Sequence, residues 1–584
     1  MKDFVKYTLA TVCGFVLICV IFFFVGIFSL ASLIISDSKV AEIKPQSVLH
    51  LQLDGILNEY VKDDPIGELL GNAYPQTSLK ETLSAIENAK NNPNINGIYI
   101  ESFNLTDASP AMLREIRTAL SEFKRDGKFI IAYSDHYTQG CYYICSEADK
   151  IILNPKGQID WHGLASEPIF YKDLLKRLGI KMQVFKVGDY KSAVEPFTTD
   201  RMSEANREQV RSYLSCVWDT YLDDVSQSRL IDCKTLNHYA DTFLSFRPAE
   251  DLVNMGMIDT LCYIDEVKQI IEKENNGNFT FVTPKELNIS TPVLNLMDDK
   301  IAVYYAYGDI IDRKSEWDEN VIAADVVCKD LKKLREDTDI KAVVIRINSG
   351  GGSAFASEQM WREVKLLSQT KPVVVSMGGM AASGGYYIAS AAPYIIAEST
   401  TLTGSIGIFG MIPDMTELLT QKLGLHFDIV KTNEHSDFGT ISRPLNASES
   451  RALQRHIERG YQLFVQRVAE GRKMSTDQVL DIAEGRIWTG KQAVNNGLVD
   501  ANGNLNTAIH KAAEMGGLQS YQTVSYPTPE PWYQDLLGQQ KRGYINSAIK
   551  ETLGSYYTPW MNLKYIQEMD QVQAHIPFEL NITN

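Results

Sequence analysis

The second half of this 584-residue chain repeats the first half in a chemically unequal form. The stretch Gln139-Gly-Cys-Tyr-Tyr143 in the first half aligns with Ser383-Gly-Gly-Tyr-Tyr387 in the second. At the same offset, Gly163 aligns with Gly407. Two related copies in one chain predict two related domains that pack against each other.

The two copies differ at the residues that could carry chemistry. Ser383 in the second copy replaces Gln139 of the first. Lys191 in the first copy corresponds to His435 or Ser436 in the second, depending on where a one-residue shift is placed. Each copy therefore keeps one member of a Ser/Lys pair, which predicts a single site built from both halves.

Both halves alternate short apolar runs with helix-like stretches. This alternation is typical of βαβ units around a parallel sheet, so the predicted fold class is α/β. The predicted strands are residues 47–53, 97–101 and 128–133 in the first half and residues 301–307, 342–347 and 372–377 in the second.

The N-terminal segment predicts a membrane anchor, because residues 7–36 contain no charged side chain. As a helix they would reach about 45 Å at roughly 1.5 Å per residue, more than the roughly 30 Å hydrocarbon core. A signal peptide cleaved after Ser29-Leu-Ala31 is the alternative, but its apolar core is only about 7–15 residues long. We therefore predict an uncleaved transmembrane helix, and Lys2 and Lys6 before it favour an exported body.

Charge and cysteine content exclude some classes of function. The chain has 73 acidic against 57 basic residues, a net charge of −16, which argues against a nucleic-acid partner. Its eight cysteines show no paired spacing of metal ligands. We therefore expect neither a structural metal nor a disulfide framework.

A glycine-rich loop follows a predicted buried strand of the second half, in Asn348-Ser-Gly-Gly-Gly-Ser353. Consecutive glycines permit unusual backbone angles and leave N–H groups open to a developing oxyanion. The same glycines could instead form a tight strand-to-helix turn. No Gly-Lys-Ser/Thr follows, so a nucleotide P-loop is not indicated.

Ser383 lies in a small-residue turn where a strand leads into a helix. A serine there can cap the helix or act as a nucleophile. The upstream glycine loop favours the nucleophile, because it supplies N–H groups for the charge that an attacking serine creates.

A nucleophilic serine needs a base, and a neutral lysine can serve. Lowering a lysine pKa from about 10.4 to about 7–8 requires roughly 4 kcal/mol, which burial can provide. Asp189 and Glu195 would oppose this if either contacted the Lys191 amine. Most lysines lie in solvent, so sequence physics alone does not select Lys191.

Four motifs together select a family. They are Asn348-Ser-Gly-Gly-Gly-Ser353, Ala381-Ala-Ser-Gly-Gly-Tyr386, Thr403-Gly-Ser-Ile-Gly407 and Tyr190-Lys-Ser-Ala-Val-Glu-Pro-Phe197. In this order they resemble the long, duplicated form of the signal peptide peptidase A (protease IV) family, whose fold is similar to that of ClpP and the crotonases. The resemblance covers nearly all of residues 46–515 and the N-terminal anchor.

The resemblance implies a role for each matched residue. Ser383 would be the nucleophile and Lys191 the general base, with Ser405 orienting the lysine amine. The backbone N–H groups of Gly351 and Gly384 would form the oxyanion hole. The first copy, with Gln139 in place of the serine, would have no site of its own.

One departure from the family is Gly350, where the family usually has proline. The resemblance otherwise implies a membrane-anchored serine endopeptidase that degrades signal peptides and other membrane-derived peptides after secretion, without metal or cofactor. It also implies a homotetramer on the bacterial inner membrane, with its body on the periplasmic side. The alternatives are a catalytically inactive membrane scaffold on the same fold and a crotonase-like acyl-CoA enzyme.

The predicted domain boundaries follow the repeat. They are an anchor (residues 1–45), an N-terminal ClpP-like repeat that donates the lysine (46–271), a linker (272–299), a C-terminal ClpP-like repeat that donates the serine (300–515) and a tail of unassigned role (516–584).

Overall fold

The computed structural model describes residues 6–8, 11–12, 14–22, 42–61, 75–290, 299–315, 318, 320–528 and 572–575. Strands and helices alternate along both halves, as the predicted α/β class requires. The strands are β1 (Ser47–Asn58), β2 (Gln76–Ser78), β3 (Ile95–Thr106), β4 (Phe129–Tyr137), β5 (Lys150–Ile159), β6 (Lys181–Lys186), β7 (Thr260–Leu261), β8 (Thr280–Val282), β9 (Lys300–Tyr307), β10 (Asp309–Ile311), β11 (Val321–Ala323), β12 (Ile340–Ser349), β13 (Gly351–Ser353), β14 (Val373–Ala382), β15 (Tyr394–Ala397), β16 (Leu402–Gly404), β17 (Phe409–Asp414), β18 (Ile487–Thr489), β19 (Ala501–Asn502), β20 (Gln522–Tyr526) and β21 (Val572–His575).

The described α-helices connect and cover these strands. They are α1 (Leu79–Asn91), α2 (Pro110–Arg125), α3 (Gln139–Cys145), α4 (Lys172–Leu178), α5 (Glu195–Thr198), α6 (Glu204–Arg229), α7 (Cys233–Ala240), α8 (Ala249–Asn254), α9 (Ile264–Glu274), α10 (Pro284–Ser290), α11 (Ala324–Glu336), α12 (Ala354–Ser368), α13 (Gly384–Ala389), α14 (Ala447–Arg472), α15 (Thr476–Leu480), α16 (Gly490–Asn495) and α17 (Leu505–Gly516).

Each half contains a central parallel sheet, and the two sheets have the same strand order. The first runs β8-β1-β3-β4-β5-β7, and every one of these pairs is parallel. The second runs β20-β9-β12-β14-β15-β19, again with parallel pairs throughout. The repeat seen in the sequence is therefore also a repeat of topology.

Helices cover both faces of each central sheet, which explains why the strands read as apolar runs. Successive residues of a strand point to opposite faces. In β1, Leu49 and Leu51 enter a large core with α1 and α2, whereas Val48 packs on the α9 side. In the second half, Val343 and Val344 divide in the same way between two cores.

A third sheet contains strands from both halves. Its order is β11-β10-β13-β21-β17-β6. Strand β6 belongs to the first half and pairs antiparallel with β17 of the second, from Lys186 opposite Phe409 to Lys181 opposite Asp414. This pairing brings the segment after β6, which contains Lys191, to the second half.

A buried ion cluster also joins the two halves. Arg346 interrupts the apolar run of β12 and is only 1% exposed. Its Nη2 lies 3.0 Å from Oε1 of Glu59 and 2.5 Å from Oε1 of Glu115, and both carboxylates belong to the first half. Because each charge is out of water, the cluster depends on all its members being present.

The terminal and connecting segments differ in how much of them is described. Residues 14–22 are helical, but most of the predicted anchor, residues 7–36, lies outside the described residues. In the part of the chain that is described, no helix combines the length and apolar character needed to span a membrane. The anchor therefore stays a prediction.

The predicted linker and tail both contribute to the folded body. Within residues 272–299, β8 extends the first sheet, and Asn288 of α10 bonds Asn88 of α1 at 2.8 Å. Within residues 516–584, β20 extends the second sheet and β21 enters the third.

Candidate active site

Ser383 lies at the junction between β14 and α13 in a strained backbone conformation. Its φ of +54° and ψ of −113° are unusual for a residue with a side chain. Its N–H donates to the carbonyl of Gly404 at 2.8 Å, and its side chain makes no capping hydrogen bond to α13. The hydroxyl is therefore turned away from the role of a helix cap.

The Ser383 hydroxyl contacts the Lys191 amine instead. Nζ of Lys191 lies 2.8 Å from Oγ of Ser383, 3.0 Å from Oγ of Ser405 and 3.2 Å from the carbonyl oxygen of Ser405. A neutral amine has two N–H groups and one lone pair. The two N–H groups can bond the Ser405 oxygens while the lone pair accepts the Ser383 hydroxyl proton, so all three contacts suit an uncharged lysine.

The surroundings of Lys191 favour that uncharged form. Its side chain is 0% exposed, and burial lowers the pKa of its amine well below the ordinary value. Glu195 accepts hydrogen bonds from Ser203 and from Nδ2 of Asn206 at 2.6–2.8 Å, so its carboxylate is directed to the start of α6. Asp189 is exposed. Neither Glu195 nor Asp189 is among the described hydrogen-bond partners of the Lys191 amine, so no carboxylate offsets the desolvation of that amine.

Gln209 in α6 holds the backbone around Lys191. Its Nε2 donates to the carbonyl of Tyr190 at 3.1 Å and to Oγ of Ser192 at 2.9 Å. Its Oε1 accepts from the N–H of Ile487 at 3.1 Å, in the second half. The sequence alone does not identify this residue, because a glutamine in a long polar helix carries no signal that it is buried.

A tight backbone turn at Gly485 and Arg486 lies against both Lys191 and Ser405. Gly485 has a φ of +81°, and a Cβ built there would lie 2.6 Å from Cβ of Lys191. The carbonyl of Arg486 accepts from the N–H of Ser405 at 2.7 Å. Ser405 itself has a φ of +49°, a second strained serine in the site. This turn, too, was not found from the sequence.

The structure brings the glycine loop next to Ser383. Gly351 has a φ of +108°, and a Cβ built on it would lie 2.8 Å from the backbone nitrogen of Gly384. The two predicted oxyanion-hole glycines are thus adjacent. The Gly351 N–H, however, donates to Oγ of Ser349 at 3.1 Å, and that hydroxyl donates to the carbonyl of Gly308.

The corresponding place in the first half is filled by Gln139. This side chain is 0% exposed, its Nε2 donates to the carbonyl of Gly163 at 3.0 Å, and its Oε1 accepts from the N–H groups of His162 and Gly163. Gly163 aligns with Gly407 of the second half, and Gly407 lies beside the Lys191 side chain. The polar atoms of Gln139 therefore bond the backbone of residues 162–163 within the first half.

Comparison with protein families agrees with the duplicated architecture. The sequence family described as "Peptidase family S49" matches the chain twice, at residues 122–277 and 365–519. The model described as "Clp protease" matches residues 306–401.

Three relatives align with most of this chain. "Protease 4" of Salmonella typhi is 37% identical over 490 residues, which cover 82% of this chain and 78% of the relative. "Protease 4" of Haemophilus influenzae is 35% identical over 559 residues, 90% of each chain. "Serine protease SPPA, chloroplastic" of Arabidopsis thaliana is 31% identical over 486 residues, 82% of this chain and 70% of the relative. The chain therefore belongs to peptidase family S49, carries that family's domain twice and is a serine peptidase with a ClpP-like α/β fold.

Proposed function

We propose that the protein is a membrane-anchored serine endopeptidase in which a neutral Lys191 activates Ser383. The observation that supports this most directly is the 2.8 Å separation between Nζ of Lys191 and Oγ of Ser383 in a fully buried setting. A buried, uncharged amine within hydrogen-bond reach of a hydroxyl is the arrangement that general-base activation requires.

The proposed reaction starts when Oγ of Ser383 attacks a peptide carbonyl and its proton moves to Nζ of Lys191. The resulting ammonium is held by the hydroxyl and carbonyl oxygens of Ser405. Backbone N–H groups of Gly351 and Gly384 stabilise the oxyanion, which requires the Gly351 N–H to leave Ser349. Lys191 then returns the proton to the leaving amine, and water hydrolyses the acyl-enzyme by the same steps.

We propose signal peptides and other apolar peptides as substrates, cleaved at the periplasmic face of the bacterial inner membrane. The uncharged residues 7–36 support the anchor. The four motifs and the S49 match support the peptidase itself.

A homotetramer is part of the proposal. Large apolar side chains remain exposed after β17, and exposed apolar surface of this kind supports a contact with another apolar surface. They are Leu423, Leu425, Phe427, Ile429, Val430, Phe438 and Ile441. Light scattering of the detergent-solubilised full chain tests the tetramer, and a monomeric mass would contradict it.

The experiment that tests the proposed chemistry is substitution of the pair in the full chain. Ser383→Ala and Lys191→Ala should each lower kcat on an apolar fluorogenic peptide by about 10⁴-fold or more, because neither residue acts without the other. Lys181→Ala, an exposed lysine of β6, is the matched control and should retain activity.

Folding of each variant is checked by circular dichroism and thermal melting. Near wild-type turnover by Lys191→Ala would remove it as the base. If the wild-type chain neither hydrolyses peptides nor reacts at Ser383 with a serine-directed phosphonate, the inactive scaffold becomes the better description.

A further inference from the structure

Four side chains from both halves form a cluster that we call the outer clamp. They are Tyr190 and Glu208 of the first half and Arg486 and Trp488 of the second. The Arg486 guanidinium lies over both aromatic rings, 4.8 Å from the centre of the Tyr190 ring and 4.5 Å from that of the Trp488 ring. A planar guanidinium suits this place, because it stacks on aromatic faces and bonds a carboxylate at its edge.

Polar contacts close the outer clamp into a ring. Nη2 of Arg486 lies 2.9 Å from Oε1 of Glu208, and the Tyr190 hydroxyl donates to Oε2 of the same carboxylate at 2.9 Å. Nη1 of Arg486 lies 3.4 Å from the Tyr190 hydroxyl. The bond to Glu208 raises the pKa of Tyr190, which keeps the phenol protonated as a donor. A single exposed ion pair contributes little, but a network of planar contacts fixes the geometry of its members.

The outer clamp holds the backbone on both sides of the lysine contact. Tyr190 is covalently joined to Lys191, so the position of its ring restricts where the lysine side chain starts. The carbonyl of Arg486 accepts from the N–H of Ser405 at 2.7 Å. Ser405 provides two of the three contacts of the Lys191 amine. Arg486 therefore joins the backbone that carries the base to the backbone that orients it.

Trp488 extends the outer clamp towards the serine. A Cβ built on Gly404 would lie 2.8 Å from Cδ1 of Trp488, and the carbonyl of Gly404 accepts from the N–H of Ser383 at 2.8 Å. Nε1 of Trp488 donates to the carbonyl of Ile482 at 3.0 Å, which fixes the orientation of the ring. Through these backbone groups the outer clamp reaches the segments that carry both reacting side chains.

We propose that Arg486 is a positioning residue of the Ser383–Lys191 pair, which keeps the lysine amine within reach of the serine and out of water. It acts from the half-buried clamp, through the backbone of Tyr190 and Ser405. This inference rests on the proposed function, since it takes Lys191 as the base.

Charged side chains border the Lys191 segment on its own element and on those packed against it. They are Lys186, Asp189, Glu195, Glu208, Glu484 and Arg486. The change Arg486→Lys alters none of these charges, because lysine keeps the cation, but it removes the planar stacking and the two-pronged bonding of the guanidinium. A pH effect of this variant therefore reports the position and solvation of Lys191, and not a change in net charge.

The first test measures kcat of Arg486→Lys on an apolar fluorogenic peptide in the full chain. We expect kcat at neutral pH to fall about tenfold or more with KM changed less than about twofold, because the base is misplaced while the peptide site is retained. Arg467→Lys is the matched control. Arg467 stacks on Trp361 at 3.9 Å and bonds Glu358 at 3.1 Å with a similar exposed fraction, but all three residues belong to the second half. The control should lose similar stability in thermal melts and keep its kcat.

The second test measures kcat/KM against pH. Burial lowers the pKa of Lys191 in the wild type. When the outer clamp loosens, water reaches the amine, its pKa rises, and less of the neutral base is present at neutral pH. The midpoint of the Arg486→Lys profile should therefore lie at higher pH than that of the wild type, and its deficit in kcat/KM should shrink as pH rises. A loss of folded protein alone would lower the profile without moving its midpoint.

The third test needs no catalysis and uses the Ser383→Ala background. Acetic anhydride labels accessible neutral amines, and mass spectrometry follows the peptide that contains Lys191. Arg486→Lys should raise the labelling rate of Lys191 at least about tenfold, since local opening exposes the amine. Glu208→Gln changes an exposed side chain that the fold tolerates, and it should raise the labelling rate by a smaller factor.

The outcomes separate this inference from the proposed function. Unchanged Lys191 labelling in both clamp variants, with a kcat loss no larger than that of Arg467→Lys, would overturn the positioning role. If labelling rises but the wild-type chain hydrolyses no peptide, the outer clamp stands and the peptidase chemistry fails.

Discussion

Lys191 shows how one residue acquires an unusual property from its position in the fold. The side chain is long and basic, yet it is fully buried against two serines. The cost of burying its charge is met by leaving the amine neutral, which lowers its pKa. That cost should be measurable both as a pH dependence of activity and as a pH dependence of stability.

We predict that activity rises with pH as Lys191 loses its proton, with a midpoint well below the ordinary lysine value. In the folded state the pKa is lowered, so the unfolded chain binds more protons between the two pKa values, and stability rises with pH across that window. Lys191→Met removes this titration. The variant should melt at a higher temperature than the wild type at neutral pH, and the difference should shrink as pH rises towards about 10.

Thermal melts and kcat/KM profiles over the same pH range check both statements. A melting difference that stays constant with pH would show that Lys191 is not the titrating group.

Gly485 permits the close approach of two backbone segments around the lysine. We predict that Gly485→Ala lowers kcat about 100-fold or more, because a shift of about 1 Å in a reacting group is costly. The new Cβ would meet Cβ of Lys191 at 2.6 Å. Gly497→Ala is the control, since Gly497 has the same φ of +81° but its nearest neighbour would be Sδ of Met474 at 3.8 Å.

Both glycine variants share the cost of a left-handed backbone, which thermal melting measures. Equal losses of kcat in the two variants would mean that strain alone, and not displacement of Lys191, explains the effect.

At the scale of elements, the start of α6 determines the position of residues 187–195, which form the lysine loop around Lys191. Glu195 accepts from the N–H and Oγ of Ser203 and from Nδ2 of Asn206, and so ties the end of that loop to the helix. The pair β6–β17 fixes the other end of the same segment. Lys191 is therefore held from both sides by elements that pack on the second half.

We predict that Glu195→Ala destabilises the fold by about 1–3 kcal/mol, because the buried Asn206 amide loses its acceptor. It should also lower kcat, since the lysine loop is released at one end. Glu204→Ala changes an exposed glutamate in the first turn of α6 and is the matched control. Urea unfolding measures the change in stability, and peptide turnover measures the change in kcat. The predicted loss of stability without any loss of kcat would argue against the positioning role of Glu195.

The central strands could be predicted from sequence because buried parallel strands leave apolar runs. The run at residues 342–347 corresponds to Ile340–Ser349, and the run at 372–377 to Val373–Ala382. The observed strands extend further, since their ends pair through backbone groups that any side chain permits. The third sheet was not predicted, because β13 and β21 are short and pair with segments far away in the chain.

The site was only partly accessible to sequence reasoning. The glycine loop and Ser383 are local patterns, whereas the burial of Lys191 arises from the pairing of two halves and leaves no local trace. Only the family resemblance selected Lys191. Gln209 and Gly485 had no such signal, because their contacts lie across the interface between the halves.

For the whole molecule, the Arg346 cluster is a buried polar tie between the halves. We predict that Arg346→Met lowers the free energy of unfolding by about 3–5 kcal/mol, since it leaves Glu59 and Glu115 buried without their cation. The exposed pair of Lys332 with Glu336 provides the control, and Lys332→Met should cost about 0–1 kcal/mol. Chemical denaturation measures both, and similar small losses would show that the Arg346 cluster does not hold the halves together.

The division of the site between the halves has a consequence for how the protein is made. During translation the ribosome releases the lysine segment long before it reaches Ser383, Ser405 and the turn at Gly485 that supports them. Under the proposed mechanism, a growing chain that ends before Ser383 therefore contains no proton-transfer pair and cannot hydrolyse peptides. The proposed activity thus arises only after most of the chain has been made, because its last contributor, the turn at Gly485, lies well into the second half.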